Sequence, residues 1–402
     1  MKEKIERVLQ TAMDEHEISG GSVLICRGGS TLCRVDMGLA DIKAGIPYSE
    51  DTIIRLFSMS KPITSAAIMI LLERGIIERS DPVSKYIPSF KDQKYYAPDG
   101  TKHPVSREAT IGDLLDMTAG LSYPDDSTYA GTDASLVFSE IEKRLDTPDE
   151  MDTMEVADAI GRCTLAFDPG SAYLYSTCAD VLGAVAEAAT GKKFSAFLKD
   201  EILSPLGMED TDFLVPAKKQ SRLARSYVPA SHLHEHSPKE MPSTDDEFPE
   251  YLGNNLGIKS RMASPNAFES GGAGLASTLN DYMRFGQMLL NGGTTPDGHQ
   301  ILSPATVAYM TGKSIKPPIT EGFYRMFDLK GFSYGNLLRV AVDPSSSDTL
   351  MSPGEYGWDG WLGPYFANMP DPDLTLLIAI QRTESGTIHL TRRIRNIVLS
   401  SI

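Results

Sequence analysis

The sequence predicts an α/β protein of the α+β kind: one antiparallel sheet built from both chain ends, flanked by helices, with an inserted helical domain. Three observations support this fold class. A hairpin pattern lies near the N-terminus, an apolar strand followed by a helix lies near the C-terminus, and the middle alternates helical patterns with loops containing Pro and Gly. We expect residues 1–80 and 261–402 to form the sheet domain, 81–214 the helical domain, and 215–260 a long surface excursion over the junction between them.

The N-terminal segment reads as a helix followed by a hairpin. Its first eighteen residues are charged and amphipathic, with one apolar face made by Ile5, Val8, Leu9 and Ala12. Two strands then follow around Gly28-Gly29, at 21–26 and 31–35.

An apolar helix follows the stretch Phe57-Ser58-Met59-Ser60-Lys61-Pro62. Proline is tolerated in a first helical turn, and Arg74-Gly75 ends the pattern. The apolar positions at helical spacing are Ile63, Ala66, Ala67, Ile70 and Leu71.

Further elements are indicated along the rest of the chain. The patterns predict helices at 111–117, 181–188, 280–290 and 388–399, and a buried strand at 374–380. We expect the last helix to carry Arg392, Arg393 and Arg395 on its polar side.

Composition excludes several functional classes. The 402 residues are 41% hydrophobic and 23% charged, as in ordinary soluble proteins, and the net charge of -16 argues against nucleic acid or an anionic membrane as a partner. No apolar run is long enough to span a membrane, and the N-terminal stretch lacks the apolar core of a signal peptide. We therefore expect a cytoplasmic protein.

Cysteine and histidine positions suggest neither a disulfide framework nor a metal centre. Cys26 and Cys33 flank the hairpin turn, where a cross-strand disulfide is possible, but reduced thiols are the better expectation for a chain without an export signal. His232, His234 and His236 would point one way on an extended segment and invite a metal. The surrounding composition favours a solvated loop instead, so we expect no metal.

Ser58 and Lys61 form a candidate catalytic pair. They lie three residues apart at the predicted helix start, so both side chains fall on one face within reach of each other. A serine hydroxyl needs a neighbour to take its proton, and a lysine can do so once its pKa falls from about 10.4. A capping serine beside a solvated lysine is the alternative interpretation.

Tyr175 is a second candidate. It follows the Pro169-Gly170 turn and precedes a predicted helix, so its phenol can project from a loop. Beside an ammonium the ionised phenol is favoured, which predicts a proton acceptor near physiological pH. A packing residue at the helix start is the alternative.

Together these stretches resemble the serine β-lactamase and penicillin-recognising superfamily, in its class C, DD-peptidase and esterase branch. Ser58-Met59-Ser60-Lys61 matches Ser-x-x-Lys, and Tyr175-Ser176-Thr177 stands where the family has Tyr-x-Asn. Further matching segments in the same order are 114–121, 180–183, 204–208 and 271–278. The resemblance runs from about residue 18 to the last helix and implies that Ser58, Lys61 and Tyr175 are catalytic.

The third family motif, Lys-Thr-Gly or His-x-Gly, is replaced by Trp358-Asp359-Gly360. This segment is similar to the Trp-x-Gly variant of the family VIII carboxylesterases, which also relax Tyr-x-Asn, as Thr177 does here. This resemblance implies that the substrate site is lined by Thr177, Trp358, Asp359 and Gly360. The absence of a side chain at Gly360 would let the acyl group of the substrate lie close along the strand. Core filling is the alternative for Trp358.

The resemblance implies a serine hydrolase that cleaves small-molecule carboxylic esters through an acyl-enzyme on Ser58, without cofactor or metal. The oxyanion would be held by the backbone N–H groups of Ser58 and Trp361. An acyltransferase of the same architecture, a β-lactamase or D-amino-acid peptidase, and a catalytically silent binding protein remain alternatives. The oligomeric state is left open.

Substrate charge is the last expectation. In penicillin-recognising members a cation and a hydroxyl bind the substrate carboxylate where this chain carries Trp358 and Asp359. A carboxylate at this place repels an anionic substrate. The resemblance therefore predicts a preference for neutral or amine-bearing esters over penicillins.

Overall fold

The computed structural model describes residues 1–236, 240–241 and 248–402. Its strands in these residues are β1 (Gly20–Arg27), β2 (Ser30–Asp41), β3 (Ile46–Pro47), β4 (Ile54–Arg55), β5 (Lys94–Tyr96), β6 (Lys102–Pro104), β7 (Ala276–Ser277), β8 (Phe332–Gly335), β9 (Leu338–Ala341), β10 (Tyr356–Asp359), β11 (Tyr365–Met369) and β12 (Leu374–Ala379). Its α-helices are α1 (Lys2–Asp14), α2 (Lys61–Glu73), α3 (Ile111–Leu115), α4 (Tyr129–Arg144), α5 (Thr153–Gly161), α6 (Cys178–Thr190), α7 (Phe194–Leu198), α8 (Leu279–Leu290), α9 (Pro304–Gly312), α10 (Thr320–Phe327) and α11 (His389–Leu399).

The main sheet joins the two ends of the chain. Its strand order is β3-β2-β1-β12-β11-β10-β9-β8, and each neighbouring pair is antiparallel. At its centre β1 pairs with β12, with Val23 opposite Ile378. The predicted fold class, an antiparallel sheet built from both chain ends with helices inserted between them, is confirmed.

The two terminal helices cover the outer face of this sheet. Because side chains alternate along a strand, Val23 and Ile378 face this layer, where they meet Ile5 of α1 and Ile394 of α11. The expectation that Arg395 lies on the polar side of the last helix is wrong. Its side chain is buried on this face, where it pairs with a buried glutamate described below.

The inner face packs against α2, α8 and the helical part of the chain in one continuous apolar cluster. Helix α2 is buried over most of its length, from Lys61 to Leu71. It contacts α6 and α9 as well as β10, so it lies at the centre of the molecule. Its first turn is therefore the place where strand β10 and the helical region meet.

The first hairpin turns through Gly28 and Gly29, both at positive φ, where glycine is favoured. A bulge between Ile25 and Cys26 shifts the register. Cys26 packs into the inner cluster and Cys33 into the outer one, so the two thiols lie on opposite sheet faces. A disulfide between them is excluded by this geometry.

The 215–260 excursion contains short 3₁₀ turns at Ala217–Arg222 and Ala230–Glu235, and its residues 237–239 and 242–247 lie outside the described part. His232 and His234 fall within one such turn, so the extended arrangement of three imidazoles does not form. In the described residues, no group of three His, Cys, Asp or Glu side chains is arranged to hold a metal ion. None of the helices in those same ranges is long and apolar enough to cross a membrane.

Candidate active site

Ser58 lies in a 3₁₀ turn, Phe57–Ser60, that leads directly into α2. Phe57 has a φ of +44°, and the Met59 N–H donates to the Leu56 carbonyl at 3.1 Å. The Tyr282 hydroxyl donates to the Met59 carbonyl at 2.8 Å. The turn is thus fixed on both sides, and the half-buried Ser58 hydroxyl is presented at the N-terminal end of α2.

Lys61 is fully buried and is surrounded by neutral acceptors. Its Nζ donates to Ser58 Oγ at 3.1 Å, to the Tyr123 hydroxyl at 3.1 Å and to the Gly272 carbonyl at 2.9 Å. Burial lowers the pKa of Lys61 to about 7, although the charge of Asp180 acts in the opposite direction. At neutral pH a large fraction of this side chain is therefore a neutral amine beside the serine hydroxyl.

Asp180 acts on Lys61 through the turn at Gly272. Its carboxylate accepts from the Gly272 N–H at 3.0 Å and from the Ser270 hydroxyl, while the Gly272 carbonyl accepts from Lys61. A Cβ at Gly272 would lie 2.9 Å from the Asp180 carboxylate, so only glycine allows this close approach. In the sequence, segment 271–278 is singled out only because it resembles the family. In the structure, the Gly272 carbonyl of this segment accepts a hydrogen bond from Lys61.

Tyr175 lies beside Ser58 and Lys61. Its hydroxyl oxygen accepts from Trp358 Nε1 at 2.9 Å, and Lys61 Nζ lies 4.6 Å from its ring centroid. Burial raises the pKa of Tyr175, outweighing the lowering effect of its hydrogen bonds with Ser58 and Trp358. The expected shift toward the ionised phenol is therefore wrong in sign, because desolvation dominates and keeps Tyr175 a protonated phenol at neutral pH.

Trp358 and Asp359 point to opposite faces of β10, as strand alternation requires. Trp358 is buried on the side of Tyr175 and packs on Tyr334 with ring centroids 4.9 Å apart. The Asp359 carboxylate accepts from the Thr387 hydroxyl, and burial raises the pKa of this carboxyl. Trp358 thus contacts the candidate catalytic group, whereas Asp359 is turned toward Thr387, and the expected direct repulsion of substrate anions lacks support in this geometry.

Gly360 and Trp361 bring the end of β10 beside the nucleophile turn. A Cβ at Gly360 would lie 2.2 Å from the Leu56 carbonyl oxygen, so the close approach of that backbone requires glycine here. Within the described ranges, the N–H groups of Ser58 and Trp361 donate to no acceptor. An oxyanion hole requires two such free donors.

Two further residues complete the account of the site. Thr177 is buried at the start of α6, and its hydroxyl has no hydrogen-bond partner within the described part of the chain, so nothing joins it to the other candidates. Tyr123, which sequence reasoning missed, contacts both Lys61 and, through ring centroids 5.7 Å apart, Tyr175. Its only sequence signal is its place two residues after the matching segment 114–121.

Comparisons with known proteins agree with this geometry. Residues 5–399 match the sequence model of the family described as Beta-lactamase. Esterase EstB of Burkholderia gladioli is 31% identical over 367 residues, which cover 90% of this chain and 85% of EstB. Protein Rv1367c of Mycobacterium tuberculosis is 31% identical over 381 residues, which cover 93% of this chain and 88% of the relative.

A solved structure extends the likeness to the fold. EstCE1, described as a hydrolase with promiscuous acyltransferase activity, superposes with a TM-score of 0.78 at 25% identity, over 98% of this chain and 97% of EstCE1. The resemblance that the motifs predicted is thereby confirmed. With its family match extending over nearly the whole length, the chain belongs to the beta-lactamase family.

Proposed function

We propose that the protein is a serine carboxylesterase that acts through an acyl-enzyme on Ser58. The observation that carries this proposal is the 3.1 Å contact between Lys61 Nζ and Ser58 Oγ, made by a buried lysine whose pKa is lowered to about 7. An amine that is partly neutral at pH 7 can accept the serine proton as a general base. EstB, a relative of similar length, is named an esterase, which supports this choice of substrate class.

Acylation begins when the Ser58 oxygen attacks the ester carbonyl carbon and its proton passes to Lys61 Nζ. The carbonyl oxygen becomes an oxyanion, held by the backbone N–H groups of Ser58 and Trp361. As the intermediate collapses, the bond between the carbonyl carbon and the alcohol oxygen breaks. The leaving oxygen takes the proton from Lys61, either directly or through the Tyr175 hydroxyl, and the alcohol departs.

Deacylation repeats these steps with water. The neutral Lys61 amine takes a proton from water, whose oxygen attacks the acyl carbon attached to Ser58. As the second tetrahedral intermediate collapses, the bond between the acyl carbon and the Ser58 oxygen breaks, the serine oxygen takes the proton back from Lys61, and a carboxylic acid is released. Tyr175 stays protonated between steps, because burial raises its pKa and outweighs the lowering effect of the hydrogen bond from Trp358.

Acyl transfer to an alcohol is a second candidate, since an alcohol can replace water in the second half-reaction. The EstCE1 description, a hydrolase with promiscuous acyltransferase activity, favours keeping this candidate. β-Lactam or D-amino-acid peptide hydrolysis is less well supported, because a neutral indole at Trp358 replaces the cation that attracts a substrate carboxylate.

A substrate panel tests the proposal. p-Nitrophenyl esters of increasing acyl length are compared with a cephalosporin and a D-Ala-D-Ala peptide, with and without added alcohols. We expect ester hydrolysis to dominate and Ser58→Ala to abolish it. Faster turnover of the cephalosporin or the peptide would overturn the esterase assignment, and new esters formed in the presence of alcohol would establish acyl transfer.

Labelling by an active-site phosphonate identifies the nucleophile independently. The label should attach to Ser58 and disappear in Ser58→Ala. Ser60 is the matched control in the same turn, because its hydroxyl instead accepts from the Leu275 N–H at 3.2 Å. Ser60→Ala should keep the label, whereas labelling that persists in Ser58→Ala would contradict the proposed acyl-enzyme.

A further inference from the structure

Trp361 lies in the loop after β10, and its side chain and carbonyl contact several other segments of the chain. Its carbonyl accepts from the Ser385 N–H at 2.9 Å, and its indole Nε1 donates to Glu384 Oε1 at 3.0 Å. Its ring lies between Phe57 and Tyr251, with centroids 5.1 and 5.4 Å away. Two of these contacts come from the segment after β12, one from the nucleophile turn and one from the 215–260 excursion.

Glu384, the acceptor of the indole N–H, is itself constrained. Its backbone has a φ of +49°, a region that non-glycine residues seldom adopt. His236, whose side chain is only 6% exposed, places its Nε2 3.8 Å from the Glu384 carboxylate and 3.2 Å from Thr383 Oγ1. The imidazole also packs edge-on against Tyr251 at 5.2 Å. The imidazole therefore lies beside the carboxylate, while its Nε2 is within hydrogen-bond distance of Thr383.

This anchoring bears on the reaction because the backbone N–H of Trp361 is the second oxyanion donor. The other donor, Ser58, belongs to a 3₁₀ turn that leads into α2 and is fixed by it. Trp361 belongs to a short loop closed by the bond from the Gly363 N–H to the Gly360 carbonyl at 2.7 Å. Positioning errors of about 1 Å at a reacting centre can cost roughly a hundredfold in rate, so the loop needs an external anchor.

We propose that Glu384 is a positioning residue for the oxyanion donor Trp361, acting through the hydrogen bond that its carboxylate accepts from the indole N–H. This inference rests on the proposed function, since it assigns an oxyanion to the site. It also gives two described residues of the excursion a place beside the donor loop, because Tyr251 packs on Trp361 and His236 lies next to Glu384.

A matched control lies two residues before Glu384. Arg382 forms an ion pair with Glu17, whose side chain is 32% exposed, close to the 34% of Glu384. Removing the Glu17 carboxylate loosens the same segment after β12 without touching Trp361. The pair of variants therefore separates positioning of the donor from a general loss of order in that segment.

The test compares Glu384→Ala, Glu384→Gln and Glu17→Ala on one p-nitrophenyl ester. Because an oxyanion donor acts in the transition state, we expect Glu384→Ala to lower kcat by roughly tenfold to a hundredfold, with KM within about twofold of wild type. Glu384→Gln keeps a carbonyl acceptor for the indole and should recover most of kcat, and Glu17→Ala should leave kcat within about twofold. An unchanged kcat in Glu384→Ala, or an equal fall in Glu17→Ala, would overturn the inference.

Tryptophan fluorescence provides a readout that does not depend on activity. The chain has two tryptophans, so losing the indole hydrogen bond should shift the emission in Glu384→Ala and leave it unchanged in Glu17→Ala. A wild-type enzyme without esterase activity would refute the proposed function, and the fluorescence comparison would still test the anchor. Emission that is identical in wild type and Glu384→Ala would refute the anchor itself.

Discussion

The buried side chains of Lys61 and Arg395 differ in whether a carboxylate contacts them directly. Lys61 is 0% exposed and Arg395 is 2% exposed, so both lost nearly all their hydration. Arg395 contacts Glu355, itself fully buried, with Nη2 donating to a carboxylate oxygen at 3.0 Å. Among the residues that the structure describes, Lys61 donates only to neutral oxygens, and the carboxylate of Asp180 acts on it through the Gly272 turn.

The pKa directions follow from this difference. Burial alone would lower the pKa of Arg395, but the charge of Glu355 and the contact with Tyr365 raise it overall. For Lys61 burial prevails, and the pKa falls to about 7. A direct carboxylate partner makes a buried cation a permanent structural charge, whereas neutral partners leave it able to exchange a proton.

The largest effect that tests this contrast is expected from Lys61→Met. Without the amine, Ser58 has no general base, so turnover should fall by about a thousandfold or more, as expected for residues that act as one unit. Stability should be retained or raised, because burying an amine away from water is costly and an apolar side chain of similar length removes that cost. Ester hydrolysis measures the loss of turnover, and urea unfolding at several pH values measures the change in stability.

The sign of the pH effect can be stated. Between the folded pKa of about 7 and the unfolded pKa of about 10.4, the unfolded chain binds more protons at Lys61, so this residue makes wild-type stability rise with pH. The stability advantage of Lys61→Met should therefore shrink from pH 7 to pH 10. An advantage that grows over this range would show that the lysine is not neutralised by burial.

The opposite result is expected for Arg395→Met. This change leaves the Glu355 carboxylate buried without its main partner, and breaking a buried pair in this way costs about 3 to 5 kcal/mol. Activity per folded molecule should remain close to wild type, because Arg395 lies on the outer sheet face. Chemical unfolding measures the loss, and the double change Arg395→Met with Glu355→Leu should recover part of it. If Arg395→Met were as stable as wild type, the proposed difference between Arg395 as a structural charge and Lys61 as a proton acceptor would be contradicted.

A smaller effect compares the two phenols beside Lys61. Tyr175→Phe should lower kcat by roughly a hundredfold, the usual worth of a positioned proton-transfer group. Tyr123 donates no bond to Ser58 and accepts only from Lys61 Nζ at 3.1 Å, so Tyr123→Phe should cost nearer tenfold. Steady-state kinetics on one neutral ester decides the ranking. Equal losses would mean that Tyr123 shares in proton transfer, and a larger loss in Tyr123→Phe would reverse the assigned roles.

The same contrast explains what the sequence could and could not predict. Ser58 and Lys61 are three residues apart in one turn, so local spacing sufficed to place them together. The partners of Arg395 and Trp361 lie 40 and 23 residues away along the chain, at Glu355 and Glu384, and no local pattern connects them. Arg395 was accordingly assigned to the polar side of its helix.

The remaining errors have the same origin. The ionised state predicted for Tyr175 considered the nearby ammonium and not the surrounding rings, since desolvation depends on packing that spacing does not describe. The direction of Asp359 required knowing which face of β10 carries Trp358 toward Tyr175. Motif residues and the overall fold were thus predictable, whereas protonation states and side-chain directions depended on contacts between distant segments.

The smallest expected effect concerns Asp180, which partly compensates Lys61. Its carboxylate stabilises the ammonium form and so raises the lysine pKa relative to what burial alone would give. Asp180→Asn removes the charge but keeps an oxygen that can accept from the Gly272 N–H. The lysine pKa should then fall, and the acidic limb of the kcat/KM profile should move to lower pH by about one unit or less.

Ser270→Ala is the matched control, because it removes the hydroxyl that donates to Asp180 and leaves the carboxylate charge in place. Its acidic limb should stay within a few tenths of a unit of wild type. If the limb of Asp180→Asn moved to higher pH, the carboxylate would be acting as a proton acceptor and not as a compensating charge. If both variants shifted the limb equally, the effect would belong to the Gly272 turn and its geometry. Only a shift to lower pH confined to Asp180→Asn agrees with a lysine whose pKa is lowered by burial and raised chiefly by the charge of Asp180, with a smaller contribution from Asp359.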